Sequence, residues 1–126
     1  VRADNSYDYA IIQVVPSVER GERINVGAIV LCRARDYLGL RYVVDEARLR
    51  ALAPALDIAE VEAYLHGMER ISAGDPGAGP IAAFSQTERF HWLVSPSSTI
   101  IQVAPAHSGL CDDPAAALDD VMARMV

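Results

Sequence analysis

The sequence predicts an α+β domain in which helices pack on a mainly antiparallel sheet of about four strands, in the order β-β-β-α-α-α-β-α. Three observations lead there. Residues 7–15, 24–33 and 36–45 are rich in β-branched and aromatic side chains and are separated only by short turns, which favours an antiparallel meander. From residue 45 to 72 the apolar positions recur every three or four residues, the period of a helix. The last third returns to one β-branched run, 98–105, before a closing helix. A chain of 126 residues with 52% hydrophobic content suits a single domain over 1–126, large enough to bury a core without staples.

The first six residues are polar, and the first strand follows as "YDYAIIQVV", with Tyr7, Tyr9, Ile11, Gln13 and Val15 on one face. Pro16 ends it, since proline cannot donate to a ladder. The second strand is apolar on both sides. Ile24, Val26, Ala28, Val30 and Cys32 fall on one face and Gly27, Ile29 and Leu31 on the other, the mark of a central strand covered twice. Gly27 inside it points to a bulge or to the close approach of another backbone. The first two strands are expected to pair as a hairpin around Gly21, and "DYLGLRYVVD" supplies the third.

A short helix over 45–56 should stop before Pro54, with Leu49 and Leu52 inward. Asp57 and Glu60 then stand in near capping-box spacing before the stripe Ile58, Val61, Leu65, Met68 and Ile71, with Tyr64 beside it. "AGDPGAGP" (73–80) cannot hold a helix and reads as a loop. Residues 81–93 read as one helix carrying Ile81, Phe84, Glu88 and Trp92. Residues 104–114 read as a junction leading to a helix capped by Asp113 with Pro114 at its first position and Leu118, Val121, Met122 and Met125 inward.

Charge narrows the function classes. Seventeen acidic residues face eleven basic ones, for a net charge of −6, which argues against a general nucleic-acid binder. Every basic residue is arginine, so Schiff-base, P-loop and general-base lysines are excluded. No apolar run approaches the roughly 20 residues of a membrane span, and no charged segment followed by an apolar run opens the chain, so a cytoplasmic location is expected. Cys32 reads as a small buried hydrophobe and Cys111 as a loop residue. Two cysteines so far apart in sequence suggest neither a metal framework nor a disulfide. Neither a cofactor nor a metal is expected: zinc needs three or four converging ligands, and "GERINVG" lacks phosphate-loop spacing and enters a strand.

Four places could carry chemistry. His66 and Glu62 stand four apart on one helix, a spacing that more often decorates a solvent face than binds metal. "SPSST" (95–99) offers hydroxyls without a nucleophile elbow or a base. In "APAHSGLCDDP", His107 and Cys111 could pair as base and nucleophile, although Asp112 and Asp113 oppose a thiolate there. In "VERGERINVG", Arg20, Glu22, Arg23 and Asn25 cluster within six residues. Glu22 could orient an arginine by a bidentate pair, and Asn25 could fix the turn.

"YDYAIIQVVPSVERGERINVGAIV", "ERFHWLVSPSSTIIQVAPAHSGL" and "DDPAAALDDVMARMV" together resemble the bacterial domain of unknown function family 3037, over well more than half the chain. The "RGERINVG" and "SPSSTIIQ…PAHSGL" pieces carry most of the likeness. The family pattern has an arginine beside the proline where this chain has Ser97, so an anion site using that arginine would be lost here. The resemblance implies no settled activity. It implies a partner or regulatory module that works with a HipA-like kinase-fold protein.

Two function classes follow. The first is a non-catalytic interaction module that docks on such a partner, or on a second copy as a homo-oligomer, through Arg20, Glu22, Arg23, Asn25, His107 and Asp112. The alternative is a small enzyme or ligand-binding domain in which Glu22, Arg23 and His107 converge in one cleft, arginines holding a phosphorylated or carboxylate substrate and His107 moving the proton.

Overall fold

The sheet is built around β1 (Ser6–Val14), which has neighbours on both edges. The computed structural model describes residues 6–96 and 99–126. On one edge β1 pairs antiparallel with β2 (Ile24–Cys32), and β2 with β3 (Tyr37–Tyr42), which is the expected meander. On its other edge β1 carries β4 (Ile101–Val103) and β5 (His107–Leu110), both antiparallel. The helices are α1 (Glu46–Leu52), α2 (Ile58–Ser72), α3 (Gln86–Val94) and α4 (Pro114–Met125). The class is α+β, with five strands and four α-helices among the described residues.

The second strand is covered on both faces. On one face Ile12, Ile29 and Leu31 pack against Leu49 of α1, Leu65 of α2 and Phe90 of α3. On the other, Ile11, Ala28, Val30 and Cys32 pack against Leu118, Val121 and Met122 of α4. Each fully buried leucine or isoleucine contributes about 1.5–3 kcal/mol over leaving it in water.

The simple alternation expected for β2 breaks at Val26. Ile12 pairs with Gly27 while Gln13 pairs with Asn25, so Val26 is the extra residue of a β-bulge. The bulge moves Ile24 and Val26 onto the face of Ile29 and Leu31 and turns Asn25 towards α4. Gly27 is required there. A Cβ at Gly27 would stand 2.6 Å from the Arg41 carbonyl oxygen on the neighbouring strand.

Two further expectations are corrected. The strand expected to end at Pro105 resumes as β5, so His107–Leu110 is ladder and not loop. Three residues, 104–106, oppose the two β1 residues Ala10 and Ile11, which bulges the edge strand around a proline that has no N–H to give. The helix expected over 81–93 starts later. Pro80–Ala83 is a 3-10 turn, and Ser85 opens α3 with a complete capping box to Glu88. Phe90 and Leu93 are then its buried residues, and Trp92 faces outward.

Residues 73–80 do not form a helix, as expected. They fold into the 3-10 turn Pro76–Ala78 and the start of the next, with Asp75 accepting from Gly77 N–H and paired to Arg70. Ser97 and Ser98, and with them the family's Pro-Arg position, lie outside the described residues. Among the described residues no helix is long and apolar enough to cross a membrane.

Candidate functional site

The charged run at the mouth of β2 divides into two parts with different tasks. In the outer part the Ser17 hydroxyl accepts from Arg20 N–H, and Gly21, at φ 76°, turns the chain. Arg20 Nε donates to Glu22 Oε1 at 2.8 Å, with the two side chains 70% and 50% exposed. That hydrogen bond holds the Glu22 carboxyl below its usual range. The pair is a surface link of small energetic worth.

The inner part is a relay of hydrogen bonds that runs into the protein. Arg23 donates to the Gly21 carbonyl and, through a terminal nitrogen, to Gln13 Oε1 at 3.1 Å. Gln13 Nε2 donates to Asn25 Oδ1 at 3.0 Å, and Asn25 Nδ2 donates to the Met125 carbonyl at 2.9 Å. Asn25 therefore does not fix its own turn, and Glu22 does not hold Arg23. Instead Asn25 supplies a hydrogen-bond donor to the last turn of α4, whose carbonyls lack intrahelical partners. The bulge at Val26 is what aims Asn25 that way.

The second candidate region lies at the far end of the sheet. His107 sits opposite Tyr9, their rings 5.6 Å apart between centroids. Ser108 Oγ donates to Asp8 Oδ1 at 2.8 Å, and Arg33 holds the other oxygen of Asp8 at 3.0 Å. Asp112 is exposed in the turn after β5, and Asp113 caps α4 through Ala115 N–H. Ile24 pairs with Val14 and His107 with Tyr9, so five residue steps along β1 separate the two regions. At ~3.3 Å per residue that is about 16 Å, and Asp112 lies further still. The structure does not bring Glu22 and Arg23 together with His107, so that catalytic cleft is not formed. His107 and Cys111 are likewise parted by the length of β5. His66 faces Glu69, at 3.5 Å, and Ser95 donates to the His91 carbonyl. Among the described residues no three His, Cys, Asp or Glu side chains are grouped to hold a metal.

Three features escaped the sequence reading. One is a groove of about 380 Å³ between α1, α4 and the β2–β3 edge, with Leu49 and Met122 in its floor and Arg41, Asp119 and Arg48 at its rim. Arg41 is paired to Asp119.

The second feature is aromatic. Trp92 and Tyr64 are 48% and 47% exposed, although each belongs to a helix that packs on the core. They form a ridge between two hollows. One, of about 220 Å³, is lined by Met68, Leu93 and Ile101, and the other, of about 320 Å³, by Ile71, Gly67 and Ala78. Nothing stands within 4 Å of a Cβ built at Gly67, so the helix surface beside Tyr64 is bare. Periodicity sets Tyr64 beside the α2 stripe and Trp92 along its helix without showing that both lie at the edge of the buried face. The third is the meeting of Cys32 and Cys111 in the apolar cluster under α4.

A family model for proteins of unknown function, DUF3037, matches residues 9–126. The chain belongs to the DUF3037 family. The match takes in the bulged hairpin, the ridge and α4, so all of these are parts of a DUF3037 domain. No curated protein and no solved structure matches the chain.

Proposed function

We propose that this DUF3037 domain is a non-catalytic partner or regulatory module that docks on a HipA-like kinase-fold protein through the Tyr64–Trp92 ridge. The observation that carries the docking reading is the half-exposure of both aromatics beside two apolar hollows. Trp and Tyr are the side chains that most often dominate interface energies, and contiguous apolar surface on a small domain marks an interaction site. The family resemblance supports the identity of the partner.

The surface around the ridge also has a charge. Glu60 lies one helical turn before Tyr64 and Glu88 one turn before Trp92, so an acid flanks each aromatic. Arg70, paired to Asp75, lines the second hollow, so the rim carries both signs and a complementary partner surface presents apolar anchors with mixed charges around them. The ridge continues towards the predicted loop. Glu60, Ile100, Leu56, Ala53 and Pro16 line one further hollow, and Pro16 and Ala53 share the next with Arg20 and Glu22. Arg20 and Glu22 thus line a hollow next to the one that holds Glu60, while His107 and Asp112 line neither.

Co-expression with a HipA-like kinase-fold protein, followed by gel filtration at tens of micromolar, tests the reading. The wild type is expected to co-elute, and Trp92→Ala to weaken the complex by about 30-fold or more, in line with an interface anchor worth 2 kcal/mol or more. Tyr64→Ala is expected to weaken it less. Separate elution of the wild-type chains sinks the partner assignment. Self-association lost in Trp92→Ala would reassign the ridge to a second copy of the chain.

A further inference from the structure

The two cysteines, 79 positions apart in sequence, meet at the end of the sheet opposite the charged turn. Cys32 is the last residue of β2, fully buried, and its thiol donates to the Ser6 carbonyl at 3.5 Å. Ser6 is the ladder partner of Leu110, and Cys111 follows Leu110 directly. Cys111 packs against the apolar cluster that contains Cys32, on the α4 face of the sheet. Both thiols are free. Cys111 is half-buried and Cys32 fully buried, so Cys111 is the more accessible residue of the pair.

We propose that Cys32 and Cys111 form a reversible disulfide, and that Cys111 is the entry point for a low-molecular-weight disulfide such as oxidised glutathione. The Cys111 thiolate attacks one sulfur of the small disulfide, breaking its S–S bond and releasing one thiol. The sulfur of Cys32 then attacks Cys111 Sγ, breaking the mixed disulfide and releasing the second thiol. Two protein thiols are oxidised and one small disulfide is reduced to two thiols, which take up both protons.

The groups around the pair set the rate. Burial pushes the Cys111 thiol above the usual range. Cys32 and Asp112 add to this, and the Arg35 guanidinium opposes it. Among the described residues Arg35 has no hydrogen-bond or ion-pair partner, so its charge is free to meet the carboxylates of an incoming glutathione. Tyr7 of β1 faces the same site, and burial raises its pKa too. The thiolate is the nucleophile. Exchange is therefore slow at neutral pH and accelerates about tenfold for each pH unit until Cys111 is ionised.

The test treats the reduced, folded chain with oxidised glutathione and follows intact mass, alkylatable thiols and a peptide map. The expected product has lost two hydrogens and both thiols, yields a Cys32–Cys111 cross-linked peptide, melts several degrees higher and returns to the dithiol on reduction. Cys32→Ala is expected to stall with glutathione on Cys111, and Cys111→Ala to take up none. A wild-type chain that keeps both thiols, stalls as the mixed disulfide, or links only to a second chain overturns the proposal. The wild-type arm decides it even if Cys32→Ala fails to fold.

Discussion

On one face of the sheet three helices bury Leu49, Leu65 and Phe90 against Ile12, Ile29 and Leu31. On the other a single helix, α4, lies over Ala28, Val30 and Cys32, and its last turn is tied down by the side chain of Asn25. The first face is held by apolar area spread over several elements. The second depends on one apolar stripe and one polar pin. The difference gives the charged run before β2 a purpose: Arg23, Gln13 and Asn25 anchor the more thinly covered side of the molecule, while Arg20 and Glu22 remain on the surface.

The same truncation on each face is the strongest test of that contrast. Leu65 is fully buried between the sheet and its neighbouring helices, where a cavity cannot close easily, so Leu65→Ala is expected to cost about 4 kcal/mol. Leu118 is 2% exposed on a helix that no second helix backs, and α4 can settle into the space. Leu118→Ala is expected to cost about 2–3 kcal/mol. Urea unfolding of both variants measures the two values. Equal losses would mean that the α4 face is as rigid as the other and would break the comparison.

The pin itself is the next test. Asn25→Ala removes the donor to the Met125 carbonyl and the acceptor for Gln13 at once. Leaving part-buried polar groups unpaired is expected to cost about 1–3 kcal/mol. Asn25→Asp keeps the shape but sets a carboxylate against the negative end of α4, and should cost more than alanine. Amide exchange localises the effect: the last turn of α4 should lose protection while α2 keeps its own.

How much of this was legible in the chain follows from which forces act locally. The hairpin, the double coverage of β2, the α2 stripe, and Pro114 and Asp113 at the start of α4 all leave periodic or positional marks, and each was read correctly. Gly27 was recognised as marking a bulge or a close approach, and both are found, but the strand's faces were assigned as if it were regular, so Ile24 and Val26 were set on the wrong face. Bulge position depends on the register with β1, which only pairing defines. Pro105 read as a terminator because edge and central strands look alike in one sequence. Ser85 and Glu88 do form a legible capping signature, and weighing it would have started α3 correctly. Of the candidate site, Arg20 and Glu22 pair within the turn, but Arg23 and Asn25 reach partners 10 and 100 residues away, beyond local reasoning. The Cys32–Cys111 meeting and the ridge are products of tertiary packing, with no trace in spacing.

A second polar link, on the three-helix face, sharpens the comparison at its weak end. Arg70 Nε donates to Asp75 at 2.7 Å, folding the 73–80 turn back on the end of α2. Both links are part-buried, but this one joins two charges and the Asn25 pin is neutral. The hydrogen bond from Arg70, aided by that from Gly77 N–H, holds the Asp75 carboxyl below its ordinary value of 3.8. A carboxyl lowered in the folded state adds stability above its unfolded pKa and loses that contribution as pH falls through the folded one. The stability gap between the wild type and Asp75→Asn should therefore be present at neutral pH, shrink below about pH 4 and vanish once Asp75 is protonated. Salt screens a charged pair whose side chains are 38% and 41% exposed, so the gap should also narrow in high salt. The effect of Asn25→Ala, in which no titrating group takes part, should keep its size across the same range. If the Asp75 gap proved independent of pH and salt, the link would be acting through the shape of the turn, and the distinction between charged surface tie and neutral pin would have to be given up.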